Sequence, residues 1–525
     1  MHDVFESKFA HDIFKQRYAI NKEETWGGCC ERVVESVCEQ RLDRETKDTI
    51  RKLMHDRVFI PGGRYLASAG KPLHQICNCF ALRAEDSREG WADLLYKLTM
   101  MLSTGGGVGI DYSAIRESGK RITKTGGIAS GPLSLIKMCN EVGRHIRSGG
   151  NRRSALFGGL NWKHKDIFDF IDLKSSTEDL IDGTNISVIF DSDFFHAIKA
   201  KRHPLHEHAQ AVWNATCIRA FSIGDPGFSF DWLKDSYSLR NACSEYITDE
   251  DSDSCNLGTL FLNRIENKEH LQHAIHYAVK FLICGGIYTG VPTQLVRDLR
   301  DKNNRIGLGL GGIHEWLIKN GHQYGVPSEL HKLLSVWARE SDDAAYTASK
   351  DIGVAIPKNS RAIAPNGTIS ILAGTTGGAE PIFCKAYKRS YYENETLMYQ
   401  YVVDPTADRL MNSGIKEADI EDSYDISFKR RVKFQADLQT YCDMGISSTC
   451  NLPAWGSEVN NKETLKENSK VLLSYAKRLR GFTVYPDGAR DNQPLQRVTV
   501  KTAAKKKNVA IEAKENNCKD GVCGI

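Results

Sequence analysis

The chain reads as an α/β protein rich in parallel sheet, and three observations predict it. After Pro61-Gly62-Gly63, short apolar runs such as CFALRA, VGIDY, NISVIFD and FSIGDPGFSFDW alternate with amphipathic stretches such as WADLLYKLTMMLS and HKDIFDFIDLK. That alternation of strand and helix builds parallel sheets. Before the break, apolar residues recur at helical rather than strand spacing. Over 525 residues, 41% are hydrophobic and 26% charged, so the chain can bury a large core.

Residues 1–57 are expected to form a helical segment. DIFKQRYAI is one stretch, and Val33, Val34, Val37, Leu42, Ile50 and Leu53 line one face of the next. Residues 58–495 show no internal repeat and read as one large domain. Glycine pairs and clusters punctuate it at 105–109, 126–127, 149–150, 158–159 and 377–378, marking close approaches of backbone to backbone or ligand. Beyond Pro494, RVTVKTAAKKKNVAIEAKENNCKDGVCGI has a lysine run and no apolar face. Residues 496–525 are therefore expected to be a flexible tail.

Composition excludes several classes. A net charge of +4 over the whole chain is too small a surplus to imply a nucleic-acid groove. The opening MHDVFESKFAHDIFKQRYAI is broken by charges, unlike a signal peptide or anchor. No later stretch approaches the roughly 18 apolar residues of a membrane span, so a cytoplasmic location is expected. Fifteen cysteines, an odd number spread over a long chain, point to reduced thiols rather than a disulfide scaffold.

Some of those thiols stand in chemically suggestive company. In Asn241-Ala242-Cys243-Ser244-Glu245, an amide, a thiol and a carboxylate alternate, so an extended strand would project all three from one face. A thiol so flanked can exchange a hydrogen atom while the carboxylate moves a proton and the amide fixes a hydroxyl. The alternative is a surface loop with an incidental cysteine. Cys255 follows twelve residues after Cys243, and Cys77-Asn78-Cys79 leads into an apolar strand. Neither has zinc spacing, and no metal site is expected. Cys518 and Cys523, on a tail, suit an electron shuttle.

Anion sites are the other candidates. The segment RAIAPNGTIS, residues 361–370, carries glycine and hydroxyl donors suited to phosphate, although such turns are also common helix caps. Arg147, Arg152 and Arg153 surround Gly149-Gly150, which suits phosphate or base recognition, or a solvated basic loop. GGGVGID at 105–111 lacks the phasing of a dinucleotide loop and the lysine of a Walker loop.

NACSE resembles the N-x-C-x-E motif of the catalytic chain of ribonucleotide reductases. NCFALRAEDS, STGGGVGIDYSAIR, TGGIASGPLS, GGNRRSALFGGLNWKHKDIFDFIDLK, NISVIF, RIGLGLGG, APNGTIS and the C-x4-C tail fall in that family's order, from about residue 58 to the end. The resemblance implies a ten-stranded α/β barrel, preceded by a short helical segment, with a central finger loop carrying a radical cysteine. Cys243 would then be the transient thiyl, Glu245 the base for the ribose 3′-hydroxyl, and Asn241 its hydrogen-bonding neighbour. Cys79 and Cys255 would be the reducing pair, re-reduced by Cys518 and Cys523 with a thioredoxin-like partner. Asn366, Gly367, Thr368, Ile369 and Ser370 would hold the substrate phosphates, and Ser68 would be a further substrate contact. A nucleotide effector would sit near Asp111 to Gly127, read out by the loop of Arg147, Arg152 and Arg153. A homodimer and diphosphate substrates are the expectation.

The implied class is the second, which depends on adenosylcobalamin. TVYPDGAR resembles that class, and the adjacent tyrosine pair of enzymes using a separate metal-containing radical subunit is missing beside Tyr485. Tyr391-Tyr392 is read as structural. The alternative is a class I-type large subunit needing such a partner. Three departures from the family pattern stand out: residues 1–57 are too short for a nucleotide-binding cone, PGGRYLASAG replaces a Pro-rich entry, and Ala242 and Ser244 replace Pro and Gly around the radical cysteine.

Overall fold

The computed structural model describes residues 4–123, 126–146, 155–175, 181–232, 238–393, 396–489, 495–506 and 510–512. Arg147, Arg152, Arg153, Cys518 and Cys523 lie outside them. Three helices, Lys8–Arg17, Trp26–Cys38 and Arg44–His55, open the chain; the segment is helical as expected, but its second stretch is broken in two, with Leu42 between the helices. Each begins where a Ser7, Thr25 or Asp43 side chain accepts a hydrogen bond from the first turn.

The strands are β1 (Phe59–Pro61), β2 (Cys79–Arg83), β3 (Gly107–Asp111), β4 (Leu156–Asn161), β5 (Thr184–Asp191), β6 (Gly227–Asp231), β7 (Leu239–Arg240), β8 (Ile247–Thr248), β9 (Ser254–Phe261), β10 (Ile306–Gly311), β11 (Ala386–Glu393), β12 (Thr396–Val403), β13 (Thr449–Leu452) and β14 (Gly481–Pro486). Ten of them form one sheet. Strands β2 to β6 run parallel in sequence order, as do β9 with β10 and β13 with β14. The two parallel sets meet antiparallel at β2/β9 and β6/β14. Between β10 and β13 runs segment 359–363. It accepts from Ile306 N and Leu308 N of β10 through the Asn359 and Ser360 carbonyls, and it pairs parallel with Ile446 through Ile363. The sheet is thereby bridged edge to edge, the layout of the expected barrel. Helices cover its outside, in keeping with strands such as β5 that are apolar on both faces.

A hairpin of β7 and β8 threads the interior. Glycine makes the passage possible. A Cβ at Gly109 of β3 would overlap the Arg240 carbonyl, and one at Gly445 would stand 2.5 Å from the Ser244 carbonyl oxygen. Gly445 N donates to the Glu245 carbonyl at 2.8 Å, pinning the hairpin tip. Outside the barrel, β11 and β12 form a four-stranded sheet with Leu495–Arg497 and Ala510–Glu512. The expected tail therefore begins inside a structured unit.

Candidate active site

Residues 241–246 are the tip of the hairpin, a turn rather than the extended strand expected. Ser244 N donates to the Asn241 carbonyl at 3.1 Å, and Ser244 adopts φ 65°. The turn still gathers the three groups. Asn241 Oδ1 accepts from Tyr246 N at 3.1 Å, which fixes the amide so that its Nδ2 donates to the Cys79 sulfur at 3.0 Å. That sulfur also lies 3.7 Å from Glu245 Oε1. Cys79 on β2 and Cys255 on β9 are paired residues across the antiparallel seam. Both are 1% exposed, and Asn241 and Glu245 2%.

Cys243, at the very tip, is exposed. It faces the same cavity as Cys79, Asn241 and Glu245, of about 370 Å³, which is also lined by Asn366, Gly367, Thr368 and Ile369. One thiol thus projects into the cavity, Cys79 stands in its wall, and Cys255 is buried beside Cys79 on the neighbouring strand. The described cysteines form no disulfides.

Burial sets the electrostatics. It pushes the Glu245 carboxyl up to about 7, partly opposed by hydrogen bonds to the carboxylate from Asn241 and Cys79. It also raises the Cys79 and Cys255 thiols, with the Glu245 charge adding to the effect at Cys79, so both remain protonated at neutral pH. Three polar atoms of the cavity residues are buried without a protein partner: Glu245 Oε2, Asn78 Oδ1 and Asn366 Nδ2. Two acceptors and a donor thus leave bonds for a ligand to complete.

Asn366 takes the left-handed conformation, φ 60°, and its Oδ1 accepts from Thr259 at 3.0 Å. Ser370 does not line the cavity; its hydroxyl turns back to the Gly367 carbonyl at 3.2 Å. Ser68, at the end of the helix Gly63–Ser68, is also off the lining, whereas Gly62, Gly63 and Arg64 are on it. Sequence reading missed Asn78 and Tyr18, both cavity residues. Asn78 carried a signal, its position between two cysteines, but Tyr18 is 350 positions from its partner Thr368 and carried none.

Asp111 ends β3 and accepts from Ser113 N at 2.9 Å. It lies beside, not in, a second cavity of about 600 Å³ lined by Arg88, Trp91, Arg116, Ile122 and Ile128. No helix among the described residues is long and apolar enough to cross a membrane.

The family model "Ribonucleotide reductase, barrel domain" matches residues 77–204, 206–355 and 357–485. The chain belongs to the ribonucleotide reductases. Among curated relatives, this reductase is 27% identical to the "Vitamin B12-dependent ribonucleoside-diphosphate reductase" of Thermoplasma acidophilum, over 91% of this chain and 71% of that one. It is 26% identical to the protein of the same name in Mycobacterium tuberculosis, over 92% and 80% respectively. In fold it resembles the Actinobacillus ureae class Id ribonucleotide reductase alpha subunit, with a TM-score of 0.75 and 16% identity over 93% of this chain and 99% of that one.

Proposed function

We propose that this reductase converts ribonucleotides, diphosphates foremost, to 2′-deoxyribonucleotides with Cys243 as the hydrogen-atom carrier and adenosylcobalamin as the radical source. The observation that carries the chemistry is the grouping of Cys79, Asn241 and Glu245 within hydrogen-bond reach, beside Cys255 and behind the Cys243 tip. The names of the relatives support the cofactor.

Beside Cys243 the cavity wall is made of Gly107, Ala155 and Ala242, which carry no side chain longer than a methyl. These residues and the exposed face of Cys243 would hold the cofactor. When bound, adenosylcobalamin supplies a carbon radical by homolysis of its cobalt–carbon bond.

As a thiyl, Cys243 removes the ribose 3′ hydrogen and returns it at the end. Glu245, titrating near neutrality, takes the 3′-hydroxyl proton, and Asn241 holds the Cys79 thiol in place. One thiol of Cys79 and Cys255 protonates the departing 2′-hydroxyl, which leaves as water. The two thiols together give two electrons and two protons and end as a disulfide. The cavity wall keeps bulk water from Cys79 and Cys255. Asn366 to Ile369 face the phosphates, the second cavity near Arg116 takes a nucleotide effector, and Cys518 and Cys523 relay electrons from a thioredoxin-like protein.

The test is deoxyribonucleotide formation from purified protein, a ribonucleoside diphosphate, dithiothreitol and adenosylcobalamin. Product is expected, and none with Cys243→Ala. Product only after addition of a metal-containing radical subunit would replace the cofactor assignment with the class I-type reading.

A further inference from the structure

The helical segment before the barrel reaches into the cavity. Tyr18 follows the helix Lys8–Arg17, is 2% exposed, and lines the cavity with its hydroxyl bonded to Thr368 Oγ1. It is held there firmly. Arg32 donates to the Tyr18 carbonyl at 3.4 Å, to the Leu66 and Ala69 carbonyls at 3.0 and 2.6 Å, and to both Glu24 carboxylate oxygens. One guanidinium thus ties Tyr18 to the helix Gly63–Ser68 on the cavity's flank.

The unusual Gly62-Gly63 entry has its explanation here. A Cβ at Gly63 would stand 3.0 Å from the Tyr18 ring, and one at Gly62 would stand 2.6 Å from Asn78 Oδ1. Contacts that close force one partner to move. The two glycines leave the space that Tyr18 and Asn78 occupy.

The same segment grips the far end of the helix that carries Thr368. Arg57, Arg264 and Arg409 donate to the successive carbonyls of Leu372, Ala373 and Gly374. Glu6 pairs with all three arginines. Glu6 and Tyr18 therefore bracket the helix Gly367–Ala373 from opposite ends.

We propose that Tyr18 is a substrate-positioning residue that orients the Thr368 hydroxyl toward the phosphate end of the ribonucleotide. The inference rests on the ribonucleotide reading of this cavity. A phosphate oxygen only accepts, so Thr368 must donate to it, and the threonine lone pair is left to accept from Tyr18. The tyrosine O–H thereby selects the rotor that binds phosphate and polarises it. No other group among the cavity residues bonds to Thr368 Oγ1.

The test uses calorimetric binding of a ribonucleoside diphosphate to the cofactor-free protein, followed by steady-state kinetics. Tyr18→Phe keeps the ring on Gly63 and removes only the hydroxyl. It is expected to raise Kd and KM about tenfold, a loss of about 1.4 kcal/mol, and to leave kcat within about twofold. Thr368→Val should do the same, Thr368→Ser should bind like wild type, and the double variant should be no weaker than Thr368→Val alone. Wild-type affinity in Tyr18→Phe, or additive losses in the double variant, would overturn the proposal. Wild-type protein that binds the diphosphate but yields no product with adenosylcobalamin refutes the reaction assigned above, while the binding series still decides the role of Tyr18.

Discussion

Cys79 and Cys255 oppose one another directly across the antiparallel seam that joins the two halves of the barrel. Residues in that relation have Cα atoms about 4.5–5.5 Å apart, inside the roughly 4.4–6.8 Å that a disulfide spans. The pair can oxidise without moving the backbone. In the Cys518→Ser, Cys523→Ser variant without external reductant, about one deoxyribonucleotide per chain should form, leaving a 79–255 disulfide by peptide mass. Continued turnover under those conditions would rule out this pair as the electron source.

Glu245 predicts the pH profile. With its carboxyl pushed up to about 7 by burial, the base form is lost as pH falls, and kcat should drop about tenfold per unit below pH 7. In the unfolded chain the group titrates near 4.5, so the native state binds the proton more tightly. Stability therefore declines as pH rises from about 4.5 to 7, by about 3 kcal/mol. Glu245→Gln should lose about 10²- to 10⁴-fold in activity. Its melting temperature should exceed that of wild type at pH 8 and match it near pH 4, and a pH-independent difference would contradict this account.

Ser244 occupies the left-handed region at φ 65°, where a side chain is unfavourable by about 1–2 kcal/mol. Ser244→Gly removes that strain but makes the unfolded chain more flexible, so the expected net gain is below about 1 kcal/mol in urea unfolding. Its hydroxyl takes no part in the proposed chemistry, and activity should remain within about twofold.

The finger passes where β3 has no side chain. Gly109→Ala places a methyl on the Arg240 carbonyl and should displace the tip. A loss of about 1–3 kcal/mol of stability and at least tenfold in kcat is expected, since misplaced reacting groups slow chemistry steeply. Unchanged kinetics in a folded Gly109→Ala protein would mean that the finger does not need its observed path.

Periodicity and motif order carried much of this protein. The opening helices, the strands at Cys79, Gly107 and Thr184, and the grouping of Asn241, Cys243 and Glu245 were all legible, because each rests on residues close together in the chain. Three-dimensional packing settled what local pattern cannot encode. The alternation in NACSE suggested a strand, yet the Ser244 N–H bond to the Asn241 carbonyl and the pinned Glu245 carbonyl fold it into a turn. Ser68 and Ser370 have suitable side chains but do not line the cavity, while Tyr18 enters it to meet Thr368, 350 positions away. Which chemically able residue meets the substrate depends on contacts between distant segments, and glycine at 63, 109 and 445 has meaning only once the group filling the space beside it is known.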